Sequence, residues 1–139
     1  MAEREGAGDE IRLEVPTTPD LLRQVRVVAS GLASRLGFPI DAVEDVRLAV
    51  DELCWTVASP AGLDATLAVR FVILDAAFTV EARLKRGVAA ELDGIVRAPA
   101  DAVLSDMSKR ILDTLVDEYT LLAAIDGQGA GFRMRTKQV

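Results

Sequence analysis

Val43-Glu-Asp-Val-Arg-Leu-Ala-Val-Asp-Glu-Leu-Cys-Trp-Thr56, continued by Val57, places apolar side chains at 43, 46, 50, 53, 54 and 57. That spacing is the stripe of an amphipathic helix. Asp41 precedes the stripe and Glu44 follows three residues later, so a capping box is expected to open the helix at Asp41. Ser59-Pro60-Ala61-Gly62 is a breaker cluster and closes it.

Toward the N-terminus, Leu21, Leu22, Val25, Val28, Ala29, Leu32 and Leu36 recur at helical spacing. Thr18 can cap this helix, Pro19 suits its first position, and Asp20 sits at the positive end of the dipole. Gly37 is the expected stop. Before it, Ile11, Leu13 and Val15 alternate with Arg12 and Glu14, which reads as a strand with one buried face, closed by Pro16. The first ten residues are polar and rich in Gly, Ala and Glu. They read as a flexible tail, 1–10, ahead of a single domain, 11–139.

Toward the C-terminus, Leu67, Val69, Phe71 and Ile73 alternate, Asp75 turns the chain, and Phe78, Val80, Ala82 and Leu84 alternate again. This is a hairpin. Between Lys85 and Ala100 the periodicity fails, and a loop is expected. Leu104, Met107, Ile111, Leu112 and Leu115 predict a third helix, Tyr119–Ile125 a strand, Asp126–Gly131 a turn, and Phe132, Met134 and Thr136 a last strand. The order β-α-α-β-β-loop-α-β-β is that of a two-layer α/β sandwich.

A chain of 139 residues, half of them apolar, builds one real core. Its net charge of −6 argues against a binder of phosphate backbones, so no direct nucleic-acid contact is expected. The single cysteine, Cys54, excludes an internal disulfide, and the absence of histidine removes the commonest general base and metal ligand. No signal peptide and no run of membrane-spanning length is visible, which points to a cytoplasmic protein without membrane contact.

The Val43–Thr56 segment, with Arg26-Val-Val-Ala-Ser-Gly-Leu-Ala-Ser-Arg-Leu-Gly37 before it, resembles the anti-sigma-factor serine kinases of the histidine-kinase-like (GHKL) ATPase superfamily. Leu112-Asp-Thr-Leu-Val-Asp-Glu118 and Gly131-Phe-Arg-Met-Arg-Thr-Lys137 look like the closing helix and strand of that family. The resemblance implies a Bergerat-type fold: a mixed sheet covered on one face by three helices, here with a shortened ATP lid. In active members a helix glutamate positions the attacking hydroxyl or water. An asparagine four residues later holds the magnesium of MgATP. Those positions are Glu52 and Thr56 here, and Glu52 is then a vestigial base. The family's Asp-x-Gly-x-Gly for adenine is replaced by Val80-Glu-Ala-Arg-Leu-Lys-Arg-Gly-Val88. No glycine stands between Gly94 and Gly127, where the lid would end. No cofactor is therefore expected beyond weak MgATP binding.

The resemblance implies an anti-sigma factor that sequesters a sigma factor and is released by a STAS-type anti-anti-sigma protein, with Arg26, helped by Arg23, gripping the partner. It also implies a homodimer. Two alternatives stay open: an active serine kinase that phosphorylates the anti-anti-sigma protein, and a binding module for some other protein. No metal site is expected. Cys54, on the apolar stripe, reads as a packed thiol, and Gly127-Gln-Gly-Ala-Gly131, between two strands, as a hairpin turn. Trp55 reads equally as core edge or partner contact. The neighbouring carboxylates Asp51 and Glu52 point apart on a helix, so they are not an acid–base pair.

Overall fold

The computed structural model describes residues 8–61, 65–86, 103–125 and 128–137. Within them lie β1 (Asp9–Pro16), α1 (Pro19–Arg35), α2 (Ile40–Ala58), β2 (Ala65–Leu74), β3 (Ala77–Arg86), α3 (Asp106–Leu115), β4 (Glu118–Leu122) and β5 (Gly131–Lys137). The strands form one sheet of order β1-β2-β3-β5-β4. The expected tail falls mostly outside the described residues, but Asp9 and Glu10 already pair with Ile73 and Val72 in β1. The expected lid also falls outside them.

Every pairing in the described sheet is antiparallel, which corrects the mixed sheet implied by the resemblance. The reason lies in the connections. From the end of β1, α1 runs back along the sheet and α2 returns, so β2 starts where β1 stopped. Thr17 N–H donates to Ala65 C=O there, at 3.0 Å. Two helices in the crossover thus reverse the strand direction that a single helix would keep. Between β2 and β3, Asp75 (φ 51°) and Ala76 (φ 60°) both adopt positive φ, the signature of the tight turn whose twist suits a hairpin.

The three helices pack on one face of the sheet. Leu67, Val69 and Phe71 of β2, Phe78, Val80 and Ala82 of β3, and Phe132 and Met134 of β5 point into this layer and are buried. Val25 and Ala29 of α1 and Val46, Val50, Leu53 and Val57 of α2 close over them. The other face carries the alternate residues of the same strands, charged in β3 (Glu81, Arg83, Lys85) and β5 (Arg133, Arg135, Lys137) and mixed in β2, where Arg70 is the one charge. This is the pattern of an antiparallel sheet with one solvated side.

Local signals decide the helix ends. Pro19 opens α1 with Asp20 in the first turn, but Thr18 makes no side-chain cap. Gly37, at φ 86°, follows the last turn of α1 in the left-handed conformation that a Cβ would oppose. The capping box expected at Asp41 does not form. α2 begins one residue earlier, after Pro39, whose C=O accepts from Val43 N–H at 2.9 Å. Asp41 then lies inside the first turn, and Glu44 turns to Arg47 instead, at 2.6 Å. In α3 the inward stripe is Leu104, Ser108 and Leu112, with Ser105 as the cap, while Met107 and Ile111 are exposed. Of the apolar residues that predicted this helix, Leu104, Leu112 and Leu115 pack on the core, while Met107 and Ile111 face outward.

Candidate functional site

α2 is the middle helix, and its two flanks face different neighbours. Asp51 and Glu52 are consecutive, so their side chains leave the helix about 100° apart. Asp51 leans toward α1 and accepts from Arg26 Nη1 at 3.4 Å. Glu52 leans toward α3, where Ser108 Oγ donates to Glu52 Oε1 in a short contact. The reading that these two carboxylates do not form a pair is borne out.

On the α3 flank a chain of hydroxyls ends at Glu52. The Ser105 hydroxyl caps α3, accepting from Ser108 N–H at 3.0 Å, and donates to Ser108 Oγ, also at 3.0 Å. Ser108 Oγ in turn donates a hydrogen bond to the Glu52 carboxylate. Ser108 is buried, so this charge-assisted bond is sheltered from competing water. Thr56, four residues after Glu52 and on the same flank, donates to the Glu52 backbone C=O at 2.8 Å. That is the back-bond a threonine makes inside a helix when its hydroxyl has no outside partner. Glu52 and Thr56 are thus brought together as their spacing requires, but both are engaged within the chain. One carboxylate oxygen holds a serine, and the one candidate hydroxyl is bonded to its own helix. Among the described residues no group of three or more Cys, Asp or Glu is arranged to hold a metal.

The α1 flank is open. Arg23 is exposed and lies 3.7 Å from Asp20, and Arg26 is partly covered by its contact with Asp51. Pro19, Leu22, Arg23, Asp51, Cys54 and Trp55 line a shallow depression of about 170 Å³ between the start of α1 and the end of α2. The Trp55 ring, 56% exposed, is its most prominent apolar wall, so it belongs to the surface and not to the core. Cys54 is packed beneath. Burial, with a smaller push from Asp51, drives its thiol far above the ordinary range, which leaves it inert as a nucleophile.

The glycine-rich turn has a structural account. Leu84 donates to Ala130 C=O and accepts from Gly129 N–H, two residues opposite one, which is a bulge at the start of β5. A Cβ on Gly131 would fall 1.9 Å from the Ala82 carbonyl oxygen, so close backbone approach requires glycine here. Ile125 and Gln128 exchange backbone bonds; Asp126 and Gly127 of the expected turn lie outside the described residues.

Sequence reasoning missed Ser108. Its signal was positional: it stands four residues from both Leu104 and Leu112, in the slot of a buried side chain.

No known family profile matches the chain. It is similar to the serine-protein kinase RsbW of Bacillus pumilus, 33% identical over 72 residues, which is 48% of this chain and 44% of the relative. The serine-protein kinase RsbW of Bacillus subtilis is 41% identical over 46 residues, 33% of this chain and 29% of the relative. That of Listeria monocytogenes is 43% identical over 44 residues, 32% and 28% of the two chains. The matches span less than half the length of these curated relatives. They agree with the resemblance to anti-sigma-factor serine kinases carried by Arg26–Thr56. No helix among the described residues is long and apolar enough to cross a membrane.

Proposed function

We propose that this chain is an anti-sigma regulator that works by gripping proteins: it holds a sigma factor through the α1–α2 face and yields it to a STAS-domain antagonist, without MgATP chemistry. The observation that carries this reading is the contrast between the two flanks of α2. On one flank Glu52 and Thr56 are bonded within the chain. On the other, Arg23 and Trp55 are exposed on an open depression, and Arg26, half-covered and ion-paired with Asp51, lies next to it. Arginine and tryptophan are the side chains that most often dominate protein interfaces. β1 lies at an edge of the described sheet, a position that favours pairing between two copies.

A second reading is an active serine kinase. The retained Glu52 and the kinase names of the similar proteins favour it. The two readings part on nucleotide, because a kinase needs groups that cancel the charge of phosphate and magnesium.

The test is affinity capture of the tagged chain from its native host without added nucleotide, with light scattering on the eluate. The expected eluate contains a sigma factor or a STAS-domain protein, and the chain itself at dimer mass. Capture of either partner only when MgATP is added would favour the kinase. Capture of unrelated proteins alone would overturn the sigma assignment.

A further inference from the structure

The solvated face of the sheet carries an uneven charge pattern. Over β1, β2 and β3, cations and carboxylates are matched: Glu10 binds Arg12 at 3.0 Å and Arg70 at 3.7 Å, and Glu14 binds Lys85 at 2.5 Å. Arg83 is also committed, donating to the Ala123 and Gly129 carbonyls at 3.1 Å each. β5 differs. Arg133, Arg135 and Lys137 alternate along it on this same face, and among the described residues none of the three makes a side-chain ion pair or hydrogen bond. Glu81, opposite Arg133, is taken by Arg70 at 3.7 Å. Arg133 and Arg135 wall a shallow depression of about 180 Å³ shared with Glu118 and Thr120 of β4.

We propose that this row of β5 is a docking surface for an extended acidic segment of a partner protein, on the face opposite the helices. Alternate residues of a strand stand about 6.8 Å apart on one face, and the alternate side chains of an extended peptide repeat at the same distance. A segment with carboxylates at every second position therefore meets Arg133, Arg135 and Lys137 in register, and each arginine fork can take a carboxylate through two bonds. Glu118 stands directly opposite Arg135 on the same face, so the segment lies along the β5 row on its β3 side, away from β4, where Glu118 would repel carboxylates. A nucleic acid is disfavoured: the chain carries −6 overall, and a long polyanion samples that whole field, while a short segment is screened from it beyond about 10 Å. The site is separate from the α1–α2 face, so it stands or falls independently of the proposed function.

The probe is a fluorescein-labelled peptide alternating Glu and Ser over seven residues, read by anisotropy at about 100 mM salt, where the screening length is about 10 Å. The full chain is expected to bind it. Arg133→Ser with Arg135→Ser should weaken binding by about fivefold or more, the sum of two exposed arginine–carboxylate contacts. Arg12→Ser, on the same face but bound to Glu10, should change it less than about twofold. Both positions of the double variant are solvated and the inward Phe132 and Met134 are untouched, so its circular dichroism should match wild type. Four results would each overturn the proposal: no binding at millimolar peptide, equal binding by the folded double variant, tighter binding of an oligothymidylate of equal charge, or self-association of the chain that the double variant abolishes.

Discussion

Replacing Arg26 by alanine should weaken binding of the sigma factor or its antagonist by about tenfold to a hundredfold, a loss of roughly 1–3 kcal/mol. The guanidinium lies between α1 and α2, half-covered, and its neighbour Asp51 already shows that it can take a carboxylate there, at 3.4 Å. That contact is half exposed, so the folded state gains at most about 1 kcal/mol from it. Fold stability should therefore barely move, because the Asp51 left behind can be hydrated. Arg26→Lys keeps the charge and loses the two-pronged geometry, so it should fall between alanine and wild type. Asp51→Asn, which releases Arg26, should not weaken binding. Arg12→Ala, on the far face of the sheet, serves as the control. Full affinity in a folded Arg26→Ala protein would remove the α1–α2 face from the account.

Phe71→Ala should cost about 3–5 kcal/mol of folding stability. Phe71 is fully buried, and its ring lies 6.1 Å from that of Phe78 with the planes 9° apart. It stands in β2, second in the sheet, with β1 on one side and β3 on the other, so the surrounding backbone is held by ladders and cannot collapse into the space. A domain of this size has only about 5–15 kcal/mol in total. The melting temperature should accordingly fall by about 10–20 °C. Leu48→Ala, on the exposed side of α2, should shift stability by no more than about 0.5 kcal/mol. Equal melting of the Phe71 variant and wild type would mean the helices do not pack on this face.

What the sequence made legible was periodicity. The order of elements, Gly37 as the stop of α1, the hairpin around Asp75 and the packed Cys54 all follow from spacing and backbone chemistry, and the structure has them. What it hid were choices between equivalent local partners. Glu44 could cap α2 or meet Arg47, and the start at Pro39 decided for Arg47. Met107 and Ile111 helped to predict α3, but hydropathy cannot foresee that they face outward while a serine takes the inward slot because a carboxylate waits across the gap. The direction of β2 depends on two helices folding back together, which no local pattern records. Of the candidate site, the pairing of Glu52 with Thr56 on one flank was readable from their spacing. The contact of Arg26 with Asp51 joins two helices and was not.

The central proposal is that the chain works without MgATP chemistry, with Glu52 bonded to Ser108 of α3 and Thr56 to its own helix. It is tested most directly by titrating MgATP into the purified chain in a calorimeter, alongside a Ser108→Ala variant. The account predicts no binding heat from wild type at millimolar nucleotide, and none from the variant, because Thr56 stays bonded to its own helix. Micromolar affinity in wild type would contradict it and restore the kinase reading.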